Sequence, residues 1–313
     1  MSTLLEPVRL QSRAQRKLFD LGDEAGYQQW REAKLARRPR CVDDLIVDVV
    51  DPKALSERER LALMQRCAEW NMVVYRSPSL APDKAIARAI GEQLGLRRLD
   101  ANWLADEDGI SSIAVGQDSD GRGGFIPYTN RPLKWHTDGY YHPPAHRIHA
   151  TLLHCVRPAA SGGVNSLLDH ELAYIALRDA APRWAQALMA NDAMTIPARE
   201  DGAGVARAAQ AGPVFWVDPQ GGALHMRYTA RTRSIEWKSD AATLKAVAFL
   251  ARYLQEDNPD VLHLRLEAGM GIVANNVLHD RSDFVDDAAQ PRLLYRVRYL
   301  DRVATPELPC RNG

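Results

Sequence analysis

The segment 135–138, Trp-His-Thr-Asp, contains the first side chains whose types and spacing could do chemistry. In a β-strand, residues i and i+2 point to the same side, so His136 and Asp138 can present an imidazole nitrogen and a carboxylate oxygen to one point. Such a donor pair suits a divalent metal ion of intermediate softness. The same two residues could equally form a hydrogen-bonded pair in an exposed turn, so a third ligand is needed to identify a metal site.

His279 is the candidate for that third ligand, because it comes just after a short predicted strand, GIVANNV (271–277). Two histidines and one carboxylate occupy one face of an octahedron and leave three adjacent positions for a bidentate co-substrate and dioxygen. We predict no catalytic residue beyond these metal ligands. Taken alone, His279 could also be an ordinary hydrogen-bonded polar residue.

An arginine-rich strand near the end of the chain is the next candidate. In PRLLYRVRYLD (291–301), Arg292, Leu294, Arg296 and Arg298 share one face. This face could be solvated, or one of its arginines could point into a barrel and bind a carboxylate through two parallel hydrogen bonds, a geometry that lysine cannot reproduce.

Several elements must position these residues. Ser56 and Glu59 form a capping box that predicts a helix, Pro82 predicts the start of another, and Ser239 or Asp240 caps a helix over 240–255. A helical pair is expected over 170–190. Residues 10–40 are interpreted as an N-terminal arm or helix that ends near Pro39.

Short strands dominate the chain from about residue 146, and they do not alternate regularly with helices. This order favours a mainly β fold, a sandwich or barrel, with flanking helices. We find no repeat or linker, so we predict one domain over 1–313, with an arm (1–50), a supporting helix and strand region (51–135) and a core (136–300).

Composition excludes several classes of protein. The 313 residues include 40 basic and 40 acidic side chains, so no net charge attracts nucleic acid or an anionic membrane. No apolar run approaches the length of a membrane span, and no signal peptide is evident. The cysteines, at positions 41, 67, 155 and 310, are scattered. We therefore expect a cytoplasmic protein with a small-molecule substrate and no nucleic-acid or membrane partner; homo-oligomerisation is left open.

Together these stretches resemble the iron(II)- and 2-oxoglutarate-dependent dioxygenases of the taurine dioxygenase and γ-butyrobetaine hydroxylase type. The matching segments are WHTDGYY (135–141), LHCVRPAASGGVNSLLDH (153–170), NNVLHDRSDF (275–284) and PRLLYRVRYL (291–300). His136 and His279 are 143 positions apart, and Arg296 follows His279 by 17; both spacings suit this family. The resemblance implies a double-stranded β-helix, also called a jelly-roll or cupin-like barrel.

The resemblance also implies cofactors and ligands. His136, Asp138 and His279 would hold Fe(II), and 2-oxoglutarate and O2 would be co-substrates. Arg296 would bind the distal carboxylate of 2-oxoglutarate and Arg292 would lie near its other carboxylate. Asn165 stands where relatives often have a threonine that assists the distal carboxylate. Because asparagine also donates hydrogen bonds, the role is possible but is a departure from the family pattern.

By the same resemblance, the reaction hydroxylates an unactivated C–H bond of a small, charged metabolite and releases succinate and CO2. Tyr128, Asn130 and Tyr140 flank the first two ligands and could contact the substrate, or could pack at the barrel edge. Arg227 could bind an anionic substrate, or could belong to a solvated face. The loop 116–127 is a candidate lid.

Two other functions remain open at this level. The chain could be a non-catalytic metal and 2-oxoglutarate binding protein of the same fold, or a zinc-dependent hydrolase that uses the same three ligands. A second metal site among His142, His146, His149 and His154 is disfavoured, because His149 and His154 have opposite strand parity.

Overall fold

The structure of the chain is a computed structural model. It describes residues 18–100, 106, 108–116, 125–201, 204–233, 235–255 and 257–306. Most of the candidate lid (116–127) and the first part of the N-terminal arm lie outside these ranges. Within them, no helix combines the length and the apolar character that a bilayer crossing requires.

The helices of the described ranges are α1 (Glu24–Arg37), α2 (Glu57–Trp70), α3 (Lys84–Gln93), α4 (His170–Ala180), α5 (Pro182–Leu188) and α6 (Ala241–Tyr253). The predicted capping box is confirmed at α2, where the Ser56 hydroxyl accepts from the Glu59 amide and the Glu59 carboxylate accepts from the Ser56 amide. At α6, Asp240 is the cap. The predicted start at Pro82 is wrong, because the Asp83 carboxylate accepts the Ala85 amide and α3 begins after it.

Strands make up most of the remaining regular structure. They are β1 (Ile46–Asp48), β2 (Met72–Arg76), β3 (Ser111–Ile113), β4 (Leu133–His136), β5 (Ala150–Arg157), β6 (Ser161–Gly162), β7 (Asn165–Leu168), β8 (Met194–Ile196), β9 (Arg199–Asp201), β10 (Gly204–Arg207), β11 (Gln210–Gly212), β12 (Phe215–Val217), β13 (Leu224–Met226), β14 (Glu236–Trp237), β15 (Leu262–Leu264), β16 (Met270–Ala274), β17 (Leu278–Arg281), β18 (Phe284–Val285) and β19 (Leu293–Tyr299).

One compact group of residues contains a six-stranded sheet, most of a four-stranded sheet, and helices α2 and α3. The strand order of the first sheet is β1-β2-β16-β5-β19-β3, and that of the second is β15-β7-β17-β4. Both sheets contribute to an inner apolar cluster, with Met72 and Ile272 from the first and Leu167 and Leu262 from the second. Two sheets that bury their inner faces against each other form the mainly β architecture that we predicted.

The two faces of β19 separate cleanly in this group. Tyr295, Val297 and Tyr299 pack in an outer cluster with residues of α2 and α3. Leu294, on the opposite face, belongs to the inner cluster. The arginines on the same face as Leu294 are therefore directed inward rather than into solvent. Arg298 is the extreme case, since its guanidinium is almost fully buried and lies 2.5 Å from Asp100 Oδ2.

A second compact group contains the segment 135–143, helices α1, α4, α5 and α6, and three small sheets. A buried Lys34 joins α1 to the start of α4, because its Nζ lies 2.5 Å from carboxylate oxygens of both Asp169 and Glu171. Asp169 also caps α4 through the Glu171 amide. Between α5 and α6, β12 and β13 form a hairpin that turns at 218–222.

The predicted strand GIVANNV is interrupted in the structure. β16 ends at Ala274, and β17 begins at Leu278. Asn276 adopts a left-handed backbone conformation, φ 51°, which an asparagine tolerates better than most residues. Its side-chain amide donates to the Ile148 carbonyl at 2.7 Å. The side-chain oxygen of Asn275, Oδ1, accepts the Val303 backbone amide. This anchored turn sets the position of His279 on the next strand.

Candidate metal centre

The metal centre begins with His136, the last residue of β4, and Asp138, two residues later. Both side chains are mostly buried, and His136 Nε2 lies 3.7 Å from Asp138 Oδ1. The chain between them is held by Tyr228, whose carbonyl accepts the Thr137 amide and whose amide donates to the Thr137 hydroxyl. These two hydrogen bonds fix the backbone that carries both candidate ligands.

His279 lies on β17, the strand beside β4 in the four-stranded sheet. Its Nδ1 is 3.0 Å from the Val277 carbonyl, which favours the tautomer with a proton on Nδ1 and a lone pair on Nε2. One ligand atom from each of His136, Asp138 and His279 can be chosen so that all lie within 4.8 Å of one another. Two imidazoles and one carboxylate at such distances fit an Fe(II) ion that keeps open coordination positions.

A small cleft in the six- and four-stranded sheet group contains two of the predicted cofactor residues. Asn165 and Arg292 both line it, together with Gly163, Cys155 and Leu294. Arg296, which we predicted for the distal carboxylate, does not line this cleft. The guanidinium that shares this cleft with Asn165 is that of Arg292.

Glycines shape the approach to this cleft. Gly162 and Gly163 have φ of 71° and 69°, and a β-carbon on Gly162 would lie 2.4 Å from the Asp283 carbonyl oxygen. Only glycine fits that contact. The tight turn lets β6 pair with β18 and places Asn165 at the start of β7.

Arg281 is a buried residue of this region that our sequence reasoning missed. It follows His279 by two positions on β17, and strand parity with that histidine was the available signal. Its guanidinium donates to the carbonyls of Thr129 and Arg131 and lies 4.8 Å from the ring centroid of Phe284. Arg292 lies 4.9 Å from the same ring.

Burial and this crowding act on both guanidinium groups. Burial, followed by repulsion from Arg292, lowers the pKa of Arg281 to about 10. Burial also lowers the pKa of Arg292, against the attraction of Cys155 and Asp286. Both groups remain cationic at neutral pH, so this part of the fold carries concentrated positive charge suited to an anionic ligand.

The predicted substrate residues have different surroundings. Tyr128 is 1% exposed and packs within the inner cluster, which agrees with the packing alternative. The Asn130 carbonyl accepts the Phe284 amide. Arg227 is not part of a solvated face: its guanidinium donates to the carbonyls of Tyr140, Met194 and Gln210. These hydrogen bonds let Arg227 position the segment that contains Tyr140, and a contact with substrate stays a prediction.

Known proteins that resemble this chain are dioxygenases, in agreement with the geometry of the three candidate metal ligands. Residues 36–298 match the family described as "Taurine catabolism dioxygenase TauD, TfdA family". A uridine-5′-phosphate dioxygenase from a Streptomyces species is 34% identical over 243 residues, which cover 72% of this chain and 84% of that protein. A second protein of that name, from an Amycolatopsis species, is 32% identical over 177 residues; the match covers 53% of this chain and 60% of that protein.

Solved structures with the same fold include iron oxygenases. Asparagine oxygenase in complex with Fe(II), 2S,3S-3-hydroxyasparagine and succinate has a TM-score of 0.55 at 16% identity, with 78% of each chain covered. The non-heme iron oxygenase OrfP in complex with Fe and α-ketoglutaric acid has a TM-score of 0.57 at 15% identity, covering 93% of this chain and 91% of that one. These similarities confirm the predicted jelly-roll fold.

Proposed function

This chain belongs to the TauD, TfdA family and is a 2-oxoglutarate-dependent dioxygenase with Fe(II), 2-oxoglutarate and O2 as its cofactor and co-substrates, and we propose that it oxidises a C–H bond of a nucleoside 5′-monophosphate. The proposed iron ligands are His136, Asp138 and His279. The single observation that supports them most strongly is the convergence of their ligand atoms within 4.8 Å.

Bound Fe(II) supplies the activation of O2 that couples oxidation of 2-oxoglutarate, to succinate and CO2, to hydroxylation of a substrate C–H bond. The protein's own residues prepare the site. The Val277 carbonyl orients the His279 ring and favours the tautomer with its lone pair on Nε2, and Thr137 fixes the backbone between the other two ligands. Three protein ligands would leave a bound Fe(II) ion positions for 2-oxoglutarate and O2.

We assign the distal carboxylate of 2-oxoglutarate to Arg292 and Asn165. Arg292 is 5% exposed, so a carboxylate that it binds is largely shielded from water, and a charge-assisted hydrogen bond gains strength there. Asn165 is also mostly buried and its side-chain amide is 3.4 Å from the Leu264 carbonyl, a long contact that leaves the second amide proton for a ligand.

The proposed substrate class comes from the two uridine-5′-phosphate dioxygenases. For one of them, the match with this chain covers 84% of that relative's length. A nucleoside monophosphate agrees with the small, charged metabolite expected from the sequence. We propose the cytoplasm as its location on the basis of the scattered cysteines, of which Cys67 and Cys155 are buried thiols.

Succinate formation tests this function directly. The protein loaded with Fe(II) is incubated with 2-oxoglutarate and uridine 5′-phosphate, with and without O2. We expect substrate-stimulated succinate that requires O2 and is lost in His279→Ala. Consumption of the nucleotide without O2 would instead indicate the zinc-hydrolase alternative. Tight 2-oxoglutarate binding with no succinate for any nucleoside monophosphate would indicate the non-catalytic alternative.

A further inference from the structure

The segment that contains His136 pairs with a second segment, 228–230, within the second compact group. The Thr137 amide donates to the Tyr228 carbonyl, the Ala230 amide donates to the Trp135 carbonyl, and His136 and Thr229 are bridge partners in antiparallel register. Directly opposed residues of an antiparallel pair project to the same face. The Thr229 side chain therefore lies on the same side as the imidazole of His136.

Arg231 follows Thr229 by two residues. Its side chain is exposed, and it forms no ion pair with any residue in the described ranges; its backbone amide is 3.4 Å from the Thr229 hydroxyl. Two residues of chain span at most about 7 Å between Cα atoms. Arg231 is thus an available cation within one substrate length of a candidate metal ligand.

Arg207, at the end of β10, provides a second cation in the same group. Its guanidinium carbon lies 5.5 Å from the ring centroid of Tyr141, and its Nη2 donates to the Pro197 carbonyl at 2.9 Å. Its Nε is a buried donor that has no acceptor among the residues that the structure describes. The aromatic ring and the carbonyl hold the guanidinium in place while donors remain for a ligand.

Tyr140 connects these two arginines. Its ring meets that of Tyr141 edge-to-face at 5.2 Å, and its carbonyl is held by Arg227 Nε at 2.7 Å. The side chain of Tyr140 also hydrogen-bonds with that of Thr229. A series of contacts thus runs from Arg207 through Tyr141 and Tyr140 to Thr229, the bridge partner of His136, and Arg231 follows Thr229 by two residues.

We propose that Arg207 and Arg231, assisted by the hydroxyl groups of Tyr140 and Thr229, bind the phosphate group of the substrate. This inference rests on the proposed function and adds the location of the phosphate. A phosphate monoester carries close to two negative charges at neutral pH, and paired guanidinium groups match both its charge and its oxygen geometry. The nucleoside part then extends from this phosphate subsite toward the open side of the metal centre.

Binding under anaerobic conditions tests the subsite without turnover. The protein loaded with Fe(II) and 2-oxoglutarate is titrated with uridine 5′-phosphate and with uridine, which lacks only the phosphate. In the unmodified protein, the nucleotide should bind more tightly. In Arg231→Gln and Arg207→Gln, the dissociation constant of the nucleotide should rise roughly 10- to 100-fold while that of uridine changes less than about twofold. Arg231→Lys should recover part of the loss. Arg252→Gln, an exposed change on α6, is the matched control.

The proposal is overturned if both glutamine variants keep the preference of the unmodified protein for the nucleotide. If neither the nucleotide nor uridine binds to the unmodified protein, the proposed substrate is wrong, and inorganic phosphate then tests the subsite by itself. Saturable phosphate binding that is weakened in both glutamine variants but not in Arg252→Gln supports an anion subsite. Absence of phosphate binding to the unmodified protein overturns it.

Discussion

Replacement of Arg292 by leucine tests the assignment of the distal carboxylate to Arg292. Arg292 lines the cleft that also contains Asn165, and 95% of its surface is buried, so its contact with a carboxylate would be poorly screened by water. A charge-assisted hydrogen bond contributes about 1.5–3 kcal/mol. Loss of one such net contribution raises the dissociation constant of 2-oxoglutarate roughly 10- to 150-fold. Arg292→Lys retains the charge but not the paired donors. Its dissociation constant for 2-oxoglutarate should fall between those of the unmodified protein and Arg292→Leu.

The assay is an anaerobic titration of the Fe(II)-loaded protein with 2-oxoglutarate, followed by the weak visible charge-transfer absorbance of the complex. Arg296→Leu is the matched control, because Arg296 lies within β19, the strand that Arg292 immediately precedes, but does not line the cleft. Thermal unfolding of each variant checks that the fold is retained. If Arg296→Leu weakens 2-oxoglutarate binding more than Arg292→Leu does, our reasoning from the cleft is refuted.

Three further predictions concern the metal and stability. His279→Ala should abolish the thermal stabilisation that Co(II) gives the unmodified protein, and an unchanged shift would remove His279 from the ligand set. Arg227→Met leaves three carbonyl oxygens without their donor and should lower the free energy of unfolding by about 3 kcal/mol, measured by urea titration; an unaltered midpoint would contradict this role. Burial lowers the pKa of His154 from 6.5 to about 4. The unfolded chain therefore binds a proton first as the pH falls, and the protein should lose about 2 kcal/mol from this group between pH 7 and pH 5. His154→Phe should remove that part of the acid sensitivity, and equal pH dependence in both proteins would refute the assignment.

Local rules predicted much of the secondary structure. The capping box at Ser56 and the carboxylate at Asp240 locate two helices, because a cap satisfies amide groups within three residues of itself and needs no tertiary information. The break at Asn276 was not predicted. An isolated asparagine within an apolar run does not reveal that its side chain reaches the Ile148 carbonyl, 128 residues earlier in the chain.

The candidate ligands were accessible to sequence reasoning because strand parity and donor chemistry limit the possibilities. The choice between Arg292 and Arg296 was not, since strand parity does not distinguish Arg296, within β19, from Arg292, the residue immediately before that strand. What separates them is the neighbouring strand: Leu294 pairs with Cys155, and the cleft forms at that end of the sheet. Such a distinction depends on pairing register, which a single strand does not encode.

Arg227 illustrates a further limit. From sequence, an arginine beside tyrosines is as compatible with anion binding as with solvent exposure. Neither interpretation includes the arrangement in the structure, in which the guanidinium donates to the Tyr140 carbonyl and to the Met194 and Gln210 carbonyls of the paired strands β8 and β11. Those acceptors are backbone atoms, which have no sequence signature, and the fold alone brings them together.

The ring of Phe284, with a guanidinium near it from both Arg281 and Arg292, has a consequence for handling the protein. Two like charges kept at one phenyl group repel each other, and a bound dianion relieves that repulsion. On the proposed assignment, the co-substrate is therefore also a folding ligand, and the empty enzyme is its least durable form. Buffers that contain succinate or another dicarboxylate should lengthen its shelf life, whereas removal of every anion before storage should shorten it.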